Sequence, residues 1–390
     1  MSIPSKTCCG CTACMAACPT KSISMVKDEH GFYQPEINQT TCVHCDLCEK
    51  VCPQENRKQY TYNPEKAVAL QIADSEKRNE STSGGAFTVL SDAILSKGGF
   101  VAGVIYSDEI KAVYCVSDNK DDRDKMRGSK YVESFLGDTF TDIEKILKQD
   151  RYVLFTGTPC CVEGLLRYLE TKNTNTEKLY TCGIICHGTP SPRVFEDHIN
   201  YLQTKRGKKI IQYRNRPKTF GWHEHNETAF YSNSKSESQS KASQNHKDLF
   251  YSGYSLRECC FGCQYAGNNG PADFTIGDFW GIEHIMPEID DNKGTSVVLI
   301  NTEKGEKLFS SINEDVAKTV DIEKDKAIKY NHIKPSGKPA LYDEFWSDYN
   351  KFGYKFIIKK YAGDKLPDRI IYYIKKRLRR ILVKLKVIGY

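Results

Sequence analysis

Two cysteine runs of identical spacing occupy the first fifty-odd residues of the chain. Each run follows the pattern C-x2-C-x2-C-x3-C-P, and the second begins 34 positions after the first. Their cysteines are Cys8, Cys11, Cys14 and Cys18 in the first run, and Cys42, Cys45, Cys48 and Cys52 in the second. A repeated spacing indicates one structural unit used twice. Because thiolates are metal ligands, we expect this part of the chain to fold around metal.

The spacing is typical of bacterial two-cluster ferredoxins, in which the fourth cysteine of a run binds the cluster of the other run. Three thiolates that are separated by two residues each on a tight loop can bind three corners of one cubic cluster. The cysteine before proline lies too far along the loop to reach the same cluster. The resulting assignment is Cys8, Cys11, Cys14 and Cys52 for one 4Fe-4S cluster, and Cys42, Cys45, Cys48 and Cys18 for the other. Cys9, whose repeat counterpart is Val43, is interpreted as a bystander.

A pair of structural zinc sites is the alternative explanation for these cysteines. Zinc sites use two separated C-x2-C pairs or combine Cys with His. They need neither a third evenly spaced cysteine nor a terminal proline. The spacing therefore favours iron–sulfur clusters.

Length and composition predict a multidomain protein of a reducing compartment. At 390 residues the chain exceeds one ordinary hydrophobic core. Its apolar fraction of 39 % and charged fraction of 27 % are those of a soluble globular protein. The N-terminus has no apolar signal segment, and no apolar run approaches the ~20 residues that span a bilayer. The 17 cysteines then favour metal ligation over disulfides, which predicts a cytoplasmic protein.

The positive charge of the chain is concentrated at its C-terminal end. Residues 366–390 carry eight Lys or Arg against one Asp, a local charge of +7, so the total of +6 leaves about −1 for the remainder. A near-neutral body argues against nucleic-acid binding. From Pro367 and Asp368 the pattern predicts a helix with one apolar stripe: Ile370, Ile371, Ile374, Leu378, Ile381, Leu382, Leu385 and Ile388. Lys375, Lys376, Arg379, Arg380 and Lys386 lie mostly off that stripe, so we expect the helix to dock on the protein or to lie on an anionic membrane surface.

Strand-like and helix-like segments alternate after the cysteine runs, which predicts a mixed α/β fold. A strand at Ala67–Ala73 is followed by the serine- and glycine-rich stretch Ser81–Phe87 and by a helix through Leu95. The bare N–H groups at such a helix start suit a phosphate, although a plain serine N-cap explains the same residues. The chain contains neither a Walker A loop nor a G-x-G-x-x-G fingerprint.

Two successive strand–loop–helix units each carry a cysteine in the loop. The first runs from Tyr152 through Cys160, which Pro159 places in the first turn of a helix, and the second from Leu179 through Cys186. Such units form a parallel pair whose loops open at one edge of the sheet, where ligands bind. Cys160 and Cys186 are therefore expected near each other, and the later pair Cys260 and Cys263 would complete four thiolates.

Two further polar segments are interpreted as loops. Ser232–Asn245 is rich in Ser, Lys and Gln, which indicates a solvated and mobile loop. His223 and His225 flank Glu224, but no third ligand follows at helical spacing, so we interpret them as loop polar groups rather than a metal site.

Six motifs together resemble the beta subunit of coenzyme F420-reducing hydrogenases and dehydrogenases, where F420 is a deazaflavin. They are SGGAF, GSKYV, GTPCCVEGL, ICHGTPSP, CCFGC and ADFTIGDFWG, and the resemblance covers about residues 65–300. Proteins of that family are mixed α/β flavoproteins that hold FAD and a 4Fe-4S cluster, often with a ferredoxin module fused in front. Relatives of this layout also occur in bacteria without F420, among genes for cell-envelope polysaccharides.

The resemblance implies a set of functional residues in this chain. The implied ligands of a third 4Fe-4S cluster are Cys160, Cys186, Cys260 and Cys263. The implied FAD contacts are Ser83, Gly84, Gly85, Ser129, Lys130 and Tyr131. The neighbouring thiols Cys161 and Cys259 are expected to point elsewhere, and Cys182 to be packed in the core. Lys130 would stabilise the reduced flavin, and His187 is a candidate proton donor or a loop histidine satisfying backbone groups.

These observations predict an iron–sulfur flavoprotein oxidoreductase in which electrons pass from the clusters to FAD and on to a small-molecule acceptor, F420-like or other. The alternatives are an electron-transfer subunit that docks on a catalytic partner and, ranked far lower, a zinc-stapled binding module. The predicted domains are a ferredoxin-type domain over residues 1–60, an FAD and 4Fe-4S domain over 61–345, and an aromatic and basic tail over 346–390.

Overall fold

A computed structural model of the chain describes residues 7–56, 58, 60, 66–331, 333–364, 370, 372–375 and 377–378. Its strands are β1 (Ile23–Lys27), β2 (Tyr33–Ile37), β3 (Lys66–Ile72), β4 (Phe100–Tyr106), β5 (Ala112–Ser117), β6 (Val153–Gly157), β7 (Leu179–Ile184), β8 (Ile210–Asn215), β9 (Glu227–Tyr231), β10 (Ser236–Glu237), β11 (Phe274–Asp278), β12 (Ser296–Ile300) and β13 (Ala317–Asp321).

The helices of the described residues are short to medium in length. They are α1 (Ala13–Ala17), α2 (Leu47–Lys50), α3 (Ser75–Glu80), α4 (Ala86–Leu95), α5 (Lys120–Met126), α6 (Thr139–Lys148), α7 (Pro159–Thr171), α8 (Pro192–Arg206), α9 (Lys241–Tyr251), α10 (Ile282–Ile285), α11 (Glu303–Ser310), α12 (Lys324–Ile328), α13 (Tyr342–Phe352) and α14 (Tyr354–Tyr361). Within these described ranges, no helix combines the length and the apolar character that crossing a membrane requires.

One eight-stranded sheet organises the larger part of the molecule, with the strand order β13-β3-β12-β11-β7-β6-β4-β5. The central strands β11, β7, β6 and β4 run parallel, and the strands outside them pair antiparallel. The predicted parallel pairing of β6 with β7 is confirmed, with Thr156 opposite Cys182. The loops that follow these two strands, which carry Cys160 and Cys186, therefore open at the same edge of the sheet.

Alternating side chains of β6 supply the cores on the two faces of this sheet. Leu154 points into one core, among Leu90 of α4 and Val298 of β12. Phe155 points into the other core, which α7 covers. That second core also contains Ala13, Ala17 and Val51 from the cysteine runs. The N-terminal module, whose hairpin pairs β1 with β2, thus shares buried apolar surface with α7. The predicted mixed α/β fold with an N-terminal ferredoxin-like domain is confirmed.

The predicted solvated loop at Ser232–Asn245 is wrong. The segment contains β10 and the first half of α9, and Gln244 and Asn245 are fully buried. Ser240 caps the helix by accepting a hydrogen bond from the Ser243 N–H at 3.0 Å. The amide of Gln244 donates to the carbonyl oxygen of Glu227, and that of Asn245 to the carboxylate of Asp364. The side-chain amide nitrogens can be buried here because residues elsewhere in the sequence accept their hydrogen bonds.

Helices α13 and α14 pack on α8 and α9 and share a core with Phe32 of the N-terminal module. The predicted domain limit after residue 345 falls inside α13, and the domain limits remain predictions. Of the predicted tail stripe, Ile370, Ile374 and Leu378 are described and are each more than half exposed. The other stripe residues, with Lys376, Arg379, Arg380 and Lys386, lie outside the described residues.

Candidate iron–sulfur and cofactor sites

The two cysteine runs adopt the same loop conformation. Gly10 and Thr12 in the first run have positive φ angles of 71° and 60°, and their repeat counterparts His44 and Asp46 have φ angles of 51° and 58°. A short helix follows at the equivalent position in each run, α1 and α2. Successive residues of this kind form concave nests of backbone N–H groups, which bind phosphates and iron–sulfur clusters. The local backbone therefore fits the predicted clusters.

The first thiol group combines the first run with the last cysteine of the second run. Burial raises the pKa of Cys14 well above its usual range, and the nearby thiols of Cys11, Cys8 and Cys52 raise it further. Burial likewise raises the pKa of Cys8 to about 11. Several thiols that resist ionisation beside one another need a cationic partner to become thiolates together, and bound metal supplies it. The structure places Cys52 beside the first run, as the crossed assignment predicts.

The second thiol group lies at the outer end of the N-terminal module. Cys45 is exposed, and Val43, which follows Cys42, is 60 % exposed. Cys18, the predicted fourth ligand, accepts a hydrogen bond from the Ser22 N–H at 3.3 Å, and such bonds hold the pKa of its thiol below the usual value although burial alone would raise it. This group is the more exposed of the two groups in the N-terminal module.

A third thiol group lies where the loops after β6 and β7 meet the later C-x2-C pair. Cys160, Cys186, Cys260 and Cys263 line one cavity. Burial raises the pKa of Cys186 to about 12, with contributions from the thiols of Cys260 and Cys263. The N–H of Gly188 donates to Cys186 Sγ at 3.4 Å, and the N–H of Thr189 to Cys260 Sγ at 3.3 Å. Four sulfurs that line one cavity, two of them with backbone donors, are a donor set that suits a further iron–sulfur cluster.

Three neighbouring cysteines differ in their placement. Cys182 is fully buried in a core, as expected. Cys161 borders a second, larger cavity rather than that of the four sulfurs. Cys259, however, lines the same cavity as Cys260, so the expectation that it points elsewhere is wrong. The physical reason is the 3-10 turn Glu258–Gly262, which presents two successive thiols to one concave surface and lets them share a hydrogen bond.

Cys9, interpreted as a bystander, lies between two thiol groups. Its thiol interacts with Cys11 of the first group, which lowers the pKa of Cys9, and with Cys160 of the third group, which raises it; together with burial, the interaction with Cys160 leaves that pKa well above the usual range. The amide of Gln264, next to Cys263, donates to the carbonyl oxygen of Pro53 at 3.1 Å. The first and third thiol groups are therefore immediate neighbours, and the second group is the outermost.

A cavity of about 540 Å³ adjoins the third thiol group. Five of the six residues that the resemblance implies for FAD line it: Ser83, Gly85, Ser129, Lys130 and Tyr131. Gly84 instead fills the space between β3 and β12, donating to Ser296 Oγ at 2.9 Å and accepting from the Ile72 N–H at 2.8 Å. The N-terminus of α4 opens into the cavity at Gly85, as the phosphate interpretation of Ser81–Phe87 requires.

Two buried arginines of this cavity were missed by the sequence analysis. Arg127 and Arg216 both line it, and the Nε atom of each has no hydrogen-bond partner within the described part of the chain. Arg216 stacks on the ring of Trp280 at 4.7 Å and pairs with Asp278. A buried hydrogen-bond donor that lines a cavity and has no partner indicates that a bound ligand supplies the acceptor. Arg127 directly precedes the GSKYV motif, in a polar segment that is unusual for a simple connector, whereas Arg216 lies in no motif and only the fold reveals it.

The two residues proposed for catalysis both border the large cavity. The Lys130 Nζ lies 2.9–3.1 Å from four backbone carbonyl oxygens at the C-terminal end of α5, those of Lys125, Met126, Arg127 and Gly128, which share its three N–H donors. Burial lowers the pKa of Lys130 to about 7, an effect that the four carbonyl acceptors oppose. His187 lines both cavities, and its carbonyl oxygen accepts from Ser336 Oγ at 2.7 Å.

The two histidines interpreted as loop residues make specific contacts. His225 Nδ1 lies 2.7 Å from the Tyr251 hydroxyl, and His223 Nε2 lies 2.9 Å from a carboxylate oxygen of Asp290. One potential ligand atom from each of His223, Glu283 and Asp290 lies within 4.8 Å of the others. The two carboxylates come from other parts of the sequence, so spacing could not bring this group to notice.

Taken together, the fold and the thiol groups define an iron–sulfur electron-transfer protein with an N-terminal two-cluster module. A 4Fe-4S dicluster domain profile matches residues 7–56, and a profile of the C-terminal region of the coenzyme F420 hydrogenase/dehydrogenase beta subunit matches residues 150–325. Residues 150–325 are thus similar to the C-terminal region of that beta subunit, and residues 7–56 match a 4Fe-4S dicluster domain.

Solved structures include chains that are similar to this one. A chain of the F420-reducing NiFe hydrogenase complex from Methanosarcina barkeri, in a xenon-derivatised structure, is similar with 16 % identity and a TM-score of 0.45. The similarity covers 79 % of this chain and 94 % of that one. At this level it carries no information on cofactors or partners. No curated protein matches the chain significantly.

Proposed function

We propose that the protein is an iron–sulfur flavoprotein oxidoreductase that passes single electrons through three 4Fe-4S clusters to FAD, and from there to a small-molecule two-electron acceptor. The observation that carries the proposal is the contact between the two cavities. Cys9, Thr158 and residues 184–189 line both the cavity of the third thiol group and the 540 Å³ cavity. A cluster and a second cofactor held there would be separated by one layer of side chains, a separation across which electrons transfer readily.

The large cavity supplies the features that a dinucleotide such as FAD requires. Its polar end has the α4 N-terminus, Ser129 and the buried Arg127, which suit a pyrophosphate. Its aromatic walls, which include Tyr131 and Trp280, suit flat rings. FAD bound there would convert between one-electron and two-electron chemistry, which clusters alone cannot do. The acceptor would be F420-like or another small molecule, and a role in cell-envelope polysaccharide metabolism is inferred from the resemblance alone.

The chain's own residues would hold the cofactor and exclude water from it. The ion pair with Asp278 and stacking on Trp280 hold the Arg216 side chain in place. Its Nε, which has no hydrogen-bond partner among the described residues, would therefore bind a ligand without further loss of side-chain entropy. Lys130 would act mainly through its positive charge, because its hydrogens are taken by the α5 carbonyls. His187, at the junction of the two cavities, is placed to hold a proton near the reacting atoms.

Anaerobic purification with iron, sulfide and flavin analysis tests this function. We expect about twelve irons, as three cubes require, and one FAD per chain. Cys263→Ser should lower the iron content by about four, whereas Cys182→Ala, in the core, should not. Arg216→Gln should lose flavin and keep its iron, and the exposed neighbour on β8, Arg214→Gln, should keep both. A colourless or zinc-containing protein would instead indicate a zinc-stapled binding module.

An electron-transfer subunit without a substrate of its own is the second candidate. It is favoured by the exposed second thiol group with Cys45 and Val43 at its surface, which suits electron exchange with another protein. Turnover separates the two functions. The isolated chain, reduced chemically, should reduce a deazaflavin or other small acceptor if it is an enzyme. If it reduces such acceptors only in the presence of a redox partner protein, it is a subunit.

A further inference from the structure

A single buried arginine connects the first thiol group to the third. The side chain of Arg257 is 3 % exposed and makes three polar contacts. Its Nε donates to the carbonyl oxygen of Cys8 at 2.6 Å, and one Nη donates to the carbonyl oxygen of Tyr33 at 2.8 Å. The other Nη donates to the carboxylate of Glu133. Arg257 therefore holds the backbone of a first-run cysteine from the opposite side of the domain junction.

The backbone of Arg257 reaches the third thiol group at the same time. Its N–H donates to the carbonyl oxygen of Thr189, in the loop after Cys186, at 2.9 Å. Its carbonyl oxygen accepts from the Cys260 N–H at 3.0 Å. The loops that carry two of the four convergent cysteines are therefore fixed to the same residue that contacts Cys8.

Glu133 completes the junction. Its second carboxylate oxygen accepts from the Tyr33 N–H at 3.0 Å, and its own N–H donates to the carbonyl oxygen of Pro190 at 2.9 Å. Gly10, in the first cysteine loop, lies so close that an added Cβ would contact the Glu133 carboxylate and Arg257. The guanidinium also lies over the ring of Phe32 at 5.3 Å. A buried charge that is paired, stacked and hydrogen-bonded through each of its three nitrogens has a fixed position.

The charge of Arg257 lies between the two thiol groups. Its guanidinium contacts the backbone of Cys8, and its own backbone carbonyl accepts from the Cys260 N–H. A buried cation stabilises negative charge that is added on either side of it, because Coulomb interactions are strong where water is excluded.

Resting on the proposed function, we infer that Arg257 is a positioning residue that holds the first and third clusters side by side and raises the reduction potential of both. One-electron reduction of a cluster adds one negative charge, which the fixed guanidinium stabilises. Glu133, the neighbouring anion, acts in the opposite direction. The second cluster, at the outer end of the module, should be unaffected.

The test is a redox titration of the full-length holoprotein under anaerobic conditions at pH 8, with the reduced clusters followed by electron paramagnetic resonance. Arg257→Gln should lower the reduction potentials of two clusters. At the wild-type midpoint potential, the ratio of reduced to oxidised cluster should fall at least tenfold, which corresponds to a shift of about 59 mV for one electron. Glu133→Gln should raise the same two potentials. The matched control is Arg123→Gln, because Arg123 is equally buried at 2 % exposure but pairs with Asp92 between α4 and α5.

Opposite shifts for the two variants separate electrostatics from loss of packing, which would move both variants in the same direction. If Arg257→Gln fails to fold, Arg257→Lys and Glu133→Gln replace it. Because lysine keeps the positive charge, the lysine variant should change the ratio of reduced to oxidised cluster by no more than about threefold. Unchanged potentials in iron-replete Glu133→Gln and Arg257 variants would overturn the inference. A wild-type chain with only about eight irons would contradict the proposed function instead, while the effect of Arg257 on the first cluster would still be measured.

Discussion

Gly164 of helix α7 lies directly against Cys11 of the first cysteine run. A Cβ atom built on Gly164 would be 2.9 Å from Cys11 Sγ and 3.0 Å from Cys11 Cβ. Helices α1 and α7 can therefore approach this closely only because residue 164 has no side chain. The N-terminal module and the sheet domain are matched in shape at the point where a cluster ligand is buried.

Gly164→Ala should accordingly destabilise the first cluster. Alanine would gain about 1 kcal/mol in helix propensity, but overpacking a buried site costs about 1–3 kcal/mol and would fall on a cluster ligand. We expect a lower melting temperature and a protein that loses about four irons during anaerobic gel filtration. Gly337→Ala is the control, since no atom lies within 4 Å of a Cβ built there. Full iron retention in Gly164→Ala would contradict the close packing of α1 on α7.

The crossed ligand assignment predicts paired phenotypes. Cys52→Ser should remove the same cluster as Cys8→Ser, because Cys52 lies beside the first run. Cys18→Ser should instead remove the same cluster as Cys42→Ser. Electron paramagnetic resonance of the reduced full-length variants distinguishes the buried cluster from the exposed one. If Cys52→Ser matches Cys42→Ser, the fourth cysteine binds within its own run.

Local signals made part of this structure predictable. The cysteine spacing and the buried run of β6 depend on neighbours in sequence, so the cluster loops and the parallel pair β6–β7 follow from them. The ion pair between Arg257 and Glu133 joins residues that are 124 positions apart, and no local sequence pattern predicts it. The burial of Asn245 is of the same kind, because its partner Asp364 is 119 positions away. Polar residues whose partners are distant resemble surface residues until the fold is known.

Stability should fall in mild acid because of a buried neutral histidine. His198 is fully buried, with Nδ1 2.8 Å from the Tyr354 hydroxyl and Nε2 3.2 Å from the Tyr213 hydroxyl. Burial lowers the pKa of His198 to about 3. The unfolded chain binds a proton near pH 6.5, so the stability contributed by neutral His198 is complete above that pH and is lost as the pH falls towards 3. At pH 5.5 the loss is about 1.4 kcal/mol.

Urea unfolding at pH 7.5 and 5.5 measures this contribution. His198→Gln should show a smaller decrease in the free energy of unfolding between the two pH values, by about 1.4 kcal/mol relative to wild type. His284→Gln, whose side chain is 65 % exposed, should keep the wild-type decrease. Glu227 does not confuse the comparison. Although burial alone would raise its pKa, the charge of His246 and its hydrogen bond to Glu227 lower that pKa, so the contribution of Glu227 is lost only below pH 4.5. An unchanged decrease in His198→Gln would show that His198 is protonated in the folded protein.

We propose, finally, that the basic tail binds an anionic membrane surface. The Lys241 N–H donates to the Tyr373 hydroxyl at 3.3 Å, so the start of the tail contacts α9, while Ile370, Ile374 and Leu378 stay more than half exposed. Seven net positive charges beside such a stripe suit anionic lipid, where each basic residue near the surface is worth about 1 kcal/mol.

Vesicle sedimentation tests this proposal. The full chain should sediment with phosphatidylserine-containing vesicles and be released by high salt, because surface attraction is screened. A chain ending at Asp364 should remain in solution. Lys375→Gln combined with Arg377→Gln should weaken binding about thirtyfold, as loss of about 1 kcal/mol per charge implies. Since both residues lie in the described part of the tail and are exposed, the double variant should leave the fold and the iron content unchanged. Equal sedimentation of the full and shortened chains would mean that the tail docks on the protein itself and that its charge serves another purpose.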